Sequence, residues 1–330
     1  MTFKYNNVYL LDTSTVVGPY EKKGPLGNKF DKTYNDLYIK EKSWEQAEVH
    51  LLKKSIDILL RKTKLDKNNI DLIISGDLLN QVSSSSYGVL KYNKPFLGVY
   101  SACASNVEGL IIASSLIDSK KIKNCIISTS SHNLSSEKQF RNPTEYGAPK
   151  PLTSTFTATG GASVLLTNNK TDIKVESSTI GTVINLGQTD PLNMGAVMAP
   201  AAADTIYKHL SSLKRDASYY DLILTGDLGV YGKEILIDYM KEDYGIDISK
   251  NYNDMGTMLY DLEKQNEVHA GASGPVCSAL VLYAQIIPLL KAKKIKRVLV
   301  AATGALFSPT FVYQHEDILA ISHAVSLEVI

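Results

Sequence analysis

The stretch GVYSACASNVEGL, residues 98–110, joins a short apolar run to a helical pattern through a series of small residues. Apolar side chains at Val107, Leu110 and Ile111 follow the three- and four-residue spacing of a helix face. Cys103 therefore lies where a strand passes into the start of a helix. Because the N-terminal end of a helix dipole is positive, we expect the pKa of this thiol to fall. The alternative interpretation is a small, buried structural cysteine.

Short β-branched runs alternate with long helical patterns on both sides of this stretch. The clearest helical pattern covers residues 43–65, where Ser43 and Gln46 form a capping-box start. The runs are apolar on both faces, which predicts a sheet covered on both sides, and the alternation predicts an α/β fold. The predicted strands are residues 71–75, 124–130, 163–167, 221–225 and 297–303.

The chain also resembles itself at three places that occur in the same order. Two strand patterns recur, and the small residues around Cys103 correspond to AGASG at residues 270–274. This order predicts a duplicated α/β unit with halves at residues 1–168 and 169–330. The recurring pairs are IDLIISGDLLNQ (70–81) with YDLILTGDLGVYG (220–232), and KKIKNCIISTS (120–130) with KKIKRVLVAAT (293–303).

Composition limits the classes of function. The 330 residues carry a net charge of +1 and are 44% hydrophobic, so no global charge indicates a nucleic-acid partner. The three cysteines lack metal-ligand spacing, which favours a reducing compartment. The N-terminus has no signal-peptide pattern, and the apolar stretch 278–290 is too short to span a bilayer and predicts a buried helix. We interpret the lysine-rich segment 291–297 as a solvated helix end.

Three groups of side chains are candidates for a catalytic or ligand-binding site. Cys103 is a candidate nucleophile, and His269, which opens the matching junction of the second half, is a candidate base. Asp77 and Asp227 each follow a strand and a glycine, where open α/β sheets bind ligands, although turn-capping is the alternative. The loop at residues 130–163 is long enough to be functional, and it contributes five charged or polar residues that could reach a ligand: His132, Lys138, Arg141, Glu145 and Lys150.

Together these segments resemble the thiolase superfamily. SACASNVEGL resembles the nucleophile motif, and HAGASG (269–274) resembles the segment that carries the catalytic histidine. The resemblance implies a duplicated, layered αβαβα fold with two pseudo-symmetric halves. The stretch AATGALFSP (301–309) has no cysteine where thiolases carry their second one, so the catalytic set is incomplete.

Within that superfamily the chain resembles the stage V sporulation protein AD family over nearly its whole length. The most specific segments include SGDLLNQ (75–81), EKQFRNPTEYG (137–147) and HAGASGPVCSA (269–279). The resemblance implies binding of dipicolinic acid or its calcium chelate, and a role in loading it into the developing spore and in germination. It also implies membrane proteins of the same operon as partners, a peripheral location at the cytoplasmic face of the spore inner membrane, and a homodimer.

We therefore expect a protein that binds its ligand without catalysis, at Cys103, His269, Asp77 and Asp227, with the loop residues His132, Lys138, Arg141 and Glu145. No cofactor is expected, and calcium would enter only as part of the ligand. Two alternatives stay open. One is a condensing enzyme that acts on coenzyme A thioesters through Cys103. The other is a scaffold with a vestigial pocket.

Overall fold

The computed structural model describes residues 1–140 and 150–330, and twelve of its strands form one mixed sheet. The strands are β1 (Thr2–Lys4), β2 (Tyr9–Val17), β3 (Lys32–Thr33), β4 (Leu72–Gly76), β5 (Phe96–Val99), β6 (Asn124–Ser131), β7 (Phe156–Thr157), β8 (Gly160–Thr167), β9 (Ile173–Ile180), β10 (Leu222–Thr225), β11 (Tyr252–Asp254), β12 (Ala272–Ser273), β13 (Arg297–Ala305) and β14 (Ala320–Val329). The helices are α1 (Pro19–Lys23), α2 (Trp44–Thr63), α3 (Ser83–Val89), α4 (Ser105–Asp118), α5 (Asn133–Phe140), α6 (Met194–Leu213), α7 (Gly229–Tyr244), α8 (Gly256–Leu259), α9 (Pro275–Val281), α10 (Ile287–Lys291) and α11 (Pro309–Tyr313).

The sheet repeats one strand order in the two halves of the chain. In the first half the order is β5-β4-β6-β8-β2, and in the second it is β11-β10-β13-β14-β9. The fourth strand of each series is antiparallel to both of its neighbours. The halves meet where Tyr9 and Leu10 pair with Lys174 and Ile173. The internal repeat seen in the sequence is therefore a repeat of topology.

Helices lie on both faces of each half of the sheet and also between the halves. The helices α4 and α9 pack against each other and against strands of the first half, and α4 also contacts β13 and β14. On the outer faces, α2 covers β2 and β8, whereas α6 covers β13 and β14. The main apolar core surrounds α4 and α9. This is the layered αβαβα arrangement expected from the sequence.

The five predicted strands are confirmed as β4, β6, β8, β10 and β13. The capping-box start is confirmed in part: the Gln46 N–H donates to Ser43 Oγ (3.3 Å), but Gln46 Oε1 accepts from Lys42 N rather than Ser43 N (3.2 Å). The stretch 278–290 is helical and largely buried, with a π-helical turn at Leu282–Ile286 just before Pro288. A proline has no N–H to donate, so a local change of helical hydrogen bonding is expected there.

One expectation about elements is wrong. The segment 130–163 is not a single long loop, because it contains the end of β6, the helix α5, the short strand β7 and the start of β8. Ser135, Ser136 and Glu137 of α5 are buried, so this helix packs into the protein rather than lying on its surface.

Candidate functional site

A cavity of about 320 Å³ lies where the carboxyl ends of β4, β5, β10 and β13 converge. It is lined by residues that follow those strands and by parts of α5, α6, β7 and β12. Tyr100 directly follows β5, and Leu78 and Asp227 lie two residues past the ends of β4 and β10. Gly304, near the end of β13, comes so close to the Cys103 turn that a Cβ would lie 2.4 Å from Ser101 O. Only glycine allows this approach.

Cys103 and Asp227 meet in the wall of this cavity. The Cys103 thiol lies beside the Asp227 carboxyl group, close enough for each group to change the pKa of the other. The same carboxylate accepts hydrogen bonds from Gly274 N at 3.1 Å and from Thr303 Oγ1 at 3.2 Å. Cys103 belongs to the first half of the chain, whereas Asp227 and its partners Gly274 and Thr303 belong to the second half. The thiol and the carboxyl group therefore meet where the two halves come together.

The electrostatics of this pair differ from our expectation for the thiol. Burial and the neighbouring Asp227 charge raise the pKa of Cys103 well above its usual value, so the predicted fall is wrong. The helix α4 begins only at Ser105, and Cys103 belongs to the preceding short 3-10 turn. Burial, together with the Asp254 charge, raises the pKa of Asp227 to about 7. The thiolate is disfavoured beside a carboxylate that has little access to water.

Most of the remaining cavity wall is apolar. Phe140 and Phe307 contact each other edge to face with ring centroids 5.7 Å apart, and Met194 and Met198 of α6 add flexible apolar surface. The Tyr100 hydroxyl is tied back to Leu78 O at 3.1 Å. An aromatic and thioether surface of this kind suits a flat apolar ring.

Two buried hydroxyl groups in the wall have no hydrogen-bond partner among the residues the structure describes. They belong to Ser136 and Thr155, each 4% exposed. A buried hydroxyl without a partner is costly, so these two groups can accept a polar ligand atom at little expense. Neither residue was singled out in the sequence, because isolated Ser and Thr side chains give no pattern.

The other predicted site residues lie elsewhere. His269 is half-buried, follows a short 3-10 turn in a left-handed conformation (φ 48°) and does not line the cavity, against expectation. Asp77 also does not line it, because its carboxylate accepts hydrogen bonds from Leu79 N (2.8 Å) and Ser85 N (2.7 Å). Whether either residue affects ligand binding stays a prediction.

The loop candidates are also separated. His132 is fully buried, with its Nε2 bonded to Leu37 O at 2.8 Å, and burial lowers its pKa. Lys138 forms an ion pair with Glu45 at 2.7 Å, away from the cavity. Arg141 and Glu145 lie outside the described residues. Glu137, which sequence reasoning did not single out, does line the cavity and pairs with Lys150 at 3.0 Å.

Within residues 1–140 and 150–330, no cluster of three or more His, Cys, Asp or Glu side chains is arranged to hold a metal ion. Among the described helices, none has the length and apolar character needed to cross a membrane.

Comparison with solved structures shows the fold. The 3-oxoacyl-[acyl-carrier-protein] synthase III of Aquifex aeolicus VF5 superposes with a TM-score of 0.58 at 13% identity, covering 97% of this chain and 99% of that one. Cerulenin-bound OleA of Xanthomonas campestris superposes with a TM-score of 0.64 at 13% identity, covering 98% and 97%. These similarities establish a thiolase-like fold and leave the activity open.

Comparison of sequences shows the family. The model of the Stage V sporulation protein AD family matches residues 1–328. The Stage V sporulation protein AD of Bacillus subtilis (strain 168) is 45% identical over 321 residues, which cover 97% of this chain and 94% of that protein. The chain therefore belongs to the stage V sporulation protein AD family, and it is a sporulation protein with a thiolase-like fold.

Proposed function

We propose that the cavity binds dipicolinic acid as its calcium chelate and does not transform it, and that the protein uses this binding to load the chelate into the developing spore. The observation that carries the proposal is the cavity wall itself. A thiol that burial and the Asp227 charge keep protonated lies in an apolar, aromatic cavity, and the same cavity presents the hydroxyls of Ser136 and Thr155, which have no partner among the described residues. Such a cavity is suited to holding a ligand rather than attacking it.

Charge favours the chelate over the free dianion. The described part of the cavity wall contains Asp227 and Glu137 but no lysine or arginine, and Lys150 is already paired with Glu137. A doubly negative ligand would meet carboxyl groups there. The one-to-one calcium chelate of a dicarboxylate is neutral, and its calcium still has coordination positions for oxygen atoms. The identity of the ligand rests on the resemblance to the family.

Calorimetric titration of the full chain tests the proposal. We expect saturable binding of calcium dipicolinate, weaker binding of dipicolinate with chelator present, and no binding of calcium alone. Ser136→Ala and Thr155→Val each remove one hydroxyl that faces the ligand, and each should weaken binding about tenfold. Ser119→Ala is the matched control, because Ser119 is an exposed serine outside the cavity wall. Full affinity in both hydroxyl variants, or no binding at all, would overturn the proposal.

A condensing enzyme is the second candidate, favoured by the fold and by the position of Cys103. It requires a thiolate that attacks the carbonyl carbon of a thioester, releases the coenzyme A thiol and keeps the acyl group. Intact-mass measurement after incubation with acetyl-coenzyme A distinguishes the two candidates. A stable acetyl group on Cys103 would favour the enzyme. An unchanged mass together with dipicolinate binding would favour the binding protein.

We further propose, from the same family resemblance, that the protein works at the cytoplasmic face of the spore inner membrane with the membrane proteins of its operon. The chelate would then pass between the cavity and those partners during sporulation and germination.

A further inference from the structure

Two lysine-rich turns occupy equivalent positions in the two halves of the molecule. The first joins α4, which ends at Asp118, to β6, and the second joins α10, which ends at Lys291, to β13. Each turn contains one lysine in the left-handed conformation, Lys120 (φ 60°) and Lys293 (φ 56°). The internal repeat therefore preserves both the backbone shape and the charge of this turn.

The turns lie on the same edge of the molecule, on either side of the loop at residues 168–172. On one side, Asn168 N donates to Lys123 O at 3.1 Å. On the other side, Ile330 N donates to Asp172 O at 3.0 Å, and the adjacent Val329 N donates to Lys296 O at 2.9 Å. Backbone hydrogen bonds thus connect both turns through a loop that itself carries Lys170. We call the seven lysines of these segments the basic edge: Lys120, Lys121, Lys123, Lys170, Lys293, Lys294 and Lys296.

The ammonium groups of the basic edge are free to interact with a charged surface outside the protein. All seven residues are exposed, and in the described part of the chain none of them has an ion-pair partner. Two nearby carboxylates, one in each half of the chain, accept hydrogen bonds from backbone N–H groups at equivalent positions. Asp71 Oδ2 accepts from Lys123 N at 2.7 Å, and Asp221 Oδ2 accepts from Lys296 N at 2.6 Å.

Other carboxylates also lie on this edge. Asp118 Oδ1 accepts from Asn6 N at 2.8 Å and from Asn7 N at 3.1 Å, Glu328 Oε1 accepts from Tyr219 Oη at 2.7 Å, and Asp172 is exposed. Seven exposed ammonium groups therefore face solvent, while the carboxylates of Asp71, Asp118 and Asp221 are bound to backbone amides. The outer layer of this edge is positive, although the whole chain has a net charge of only +1.

The basic edge is at the opposite end of the sheet from the cavity. The turns precede β6 and β13, whereas the cavity lies beyond the carboxyl ends of β4, β5, β10 and β13. A surface bound at the basic edge would leave the cavity mouth facing away from it. Ligand exchange and surface binding could then occur together.

We propose that the basic edge docks the protein on an anionic phospholipid surface. Lysines near such a surface are each attracted through a diffuse potential that needs no defined contact. A lysine ammonium is a compact, strongly hydrated charge, which suits attraction to a diffuse anionic layer. Arg297 is exposed next to Lys296 and adds a further positive charge to this edge. The proposal concerns a surface remote from the cavity and does not depend on which ligand the cavity binds.

Vesicle co-sedimentation tests the proposal with the full chain and two vesicle compositions, phosphatidylcholine alone and phosphatidylcholine mixed with phosphatidylglycerol. We expect binding to the anionic vesicles only, and its loss at 1 M NaCl, where the screening length falls to about 3 Å. Neutralising one turn (Lys120→Gln, Lys121→Gln and Lys123→Gln together) should lower the partition coefficient roughly 100-fold at low salt. Neutralising Lys293, Lys294 and Lys296 in the same way should have a similar effect.

The matched control removes the same charge at the cavity end, where Leu37 contacts His132 after β6. Lys23→Gln, Lys40→Gln and Lys42→Gln together should leave vesicle binding unchanged, and all variants should melt like the parent protein. Equal loss in this control, binding to neutral vesicles, or no binding at low salt would overturn the proposal. Tighter binding of soluble polyglutamate than of anionic vesicles would assign the edge to an acidic protein instead and would also overturn it.

Discussion

Cys103 shows how burial and a neighbouring carboxyl group can raise the pKa of a thiol that lies close to a helix start. It lies at the junction between β5 and α4, where we expected a thiol of lowered pKa, yet burial and the neighbouring Asp227 charge together raise its pKa. The turn containing it precedes α4 rather than forming its first residues. At this position the carboxylate and the loss of water outweigh the helix dipole.

Asp227→Asn should therefore make Cys103 more reactive. Removing the carboxylate charge lowers the thiol pKa, and each unit of that shift raises the thiolate fraction about tenfold at a pH below the pKa. We expect iodoacetamide to alkylate Cys103 at least several-fold faster at pH 8, measured by peptide mass spectrometry. Cys125 and Cys277 are fully buried and should stay unmodified.

Asp77→Asn is the control for this prediction, because Asp77 occupies the equivalent strand end without facing Cys103. An equal acceleration in that variant would indicate general loosening of the fold. No acceleration in Asp227→Asn would mean that burial alone sets the thiol pKa.

The sequence identified Cys103 and Asp227 because each interrupts a recognisable strand pattern with a chemically distinctive side chain. It did not identify Ser136, Thr155 or Phe307, which reach the cavity from three segments far apart in the chain. Their role depends on tertiary convergence, which leaves no local pattern. His269 lies outside the cavity wall, since a motif match fixes a position in the chain but not the direction of the backbone there, which has a positive φ.

At the scale of elements, the position of α4 is fixed by how closely it packs on the sheet. A Cβ on Gly109 would lie 2.7 Å from Ile127 Cγ2 of β6, closer than such carbon atoms can approach. Gly109→Ala gains helix propensity worth about 1 kcal/mol, but overpacking costs about 1–3 kcal/mol. We expect a lower free energy of unfolding, measured by urea denaturation.

The Ile127→Ala background is the matched test, because it removes the methyl group that a Cβ at position 109 would meet. There Gly109→Ala should be neutral or stabilising. A similar loss in both backgrounds would show that the cost does not come from this contact.

Strand prediction failed where buried strands carry hydroxyl groups. β2, β9 and β14 were missed because Ser and Thr interrupt their apolar pattern, although those residues are buried. Several of these hydroxyls have partners inside the fold. Ser14 Oγ of β2 donates to Ser55 O at 2.7 Å, the Ser178 hydroxyl of β9 bonds that of Tyr5 at 2.6 Å, and Ser322 Oγ of β14 donates to Ala302 O at 3.0 Å. A polar residue in the sequence does not imply an exposed one when the hydrogen bond is internal.

For the whole molecule, buried carboxyl groups should make stability fall as the pH rises from about 4.5 to about 8. Burial and the charge of Asp77 raise the pKa of Glu48 to about 8, and burial raises that of Glu21 to about 7. A carboxyl with a raised pKa binds its proton more tightly in the folded state. Its deprotonation between about pH 4.5 and pH 8 therefore favours unfolding.

Glu48→Gln should flatten this dependence. The neutral amide can still accept from Ser135 Oγ, which lies 2.7 Å from the Glu48 carboxylate. We expect the variant to melt several degrees above the parent protein at pH 9 and close to it at pH 5, measured by calorimetry. Glu41→Gln, at a half-exposed position, is the control and should show no such difference. Parallel pH profiles for Glu48→Gln and the parent protein would contradict the expectation.

The two edge strands of the sheet differ in exposure, and the exposed one predicts self-association. At one edge, Tyr252 and Asp254 of β11 are buried, and Lys233 covers Asn253 with a 2.7 Å hydrogen bond. At the other edge, β5 is open, with Leu97 44% exposed, and Leu90 of the nearby α3 end is 73% exposed. An open apolar edge strand is a template for another strand, and a two-fold axis lets the same edge serve both copies.

We therefore expect a homodimer in which β5 pairs with β5 of a second copy. Sedimentation equilibrium should give twice the 36.2 kDa chain mass at micromolar concentration. Leu97→Lys places a charge in the middle of the edge and should yield monomers, whereas Ile235→Lys, at a similarly exposed apolar position on α7, should leave the dimer intact. A monomeric parent protein would refute the dimer, and a dimer that persists in Leu97→Lys would place the interface elsewhere, because a lysine ammonium cannot be buried in an apolar strand pair without a partner.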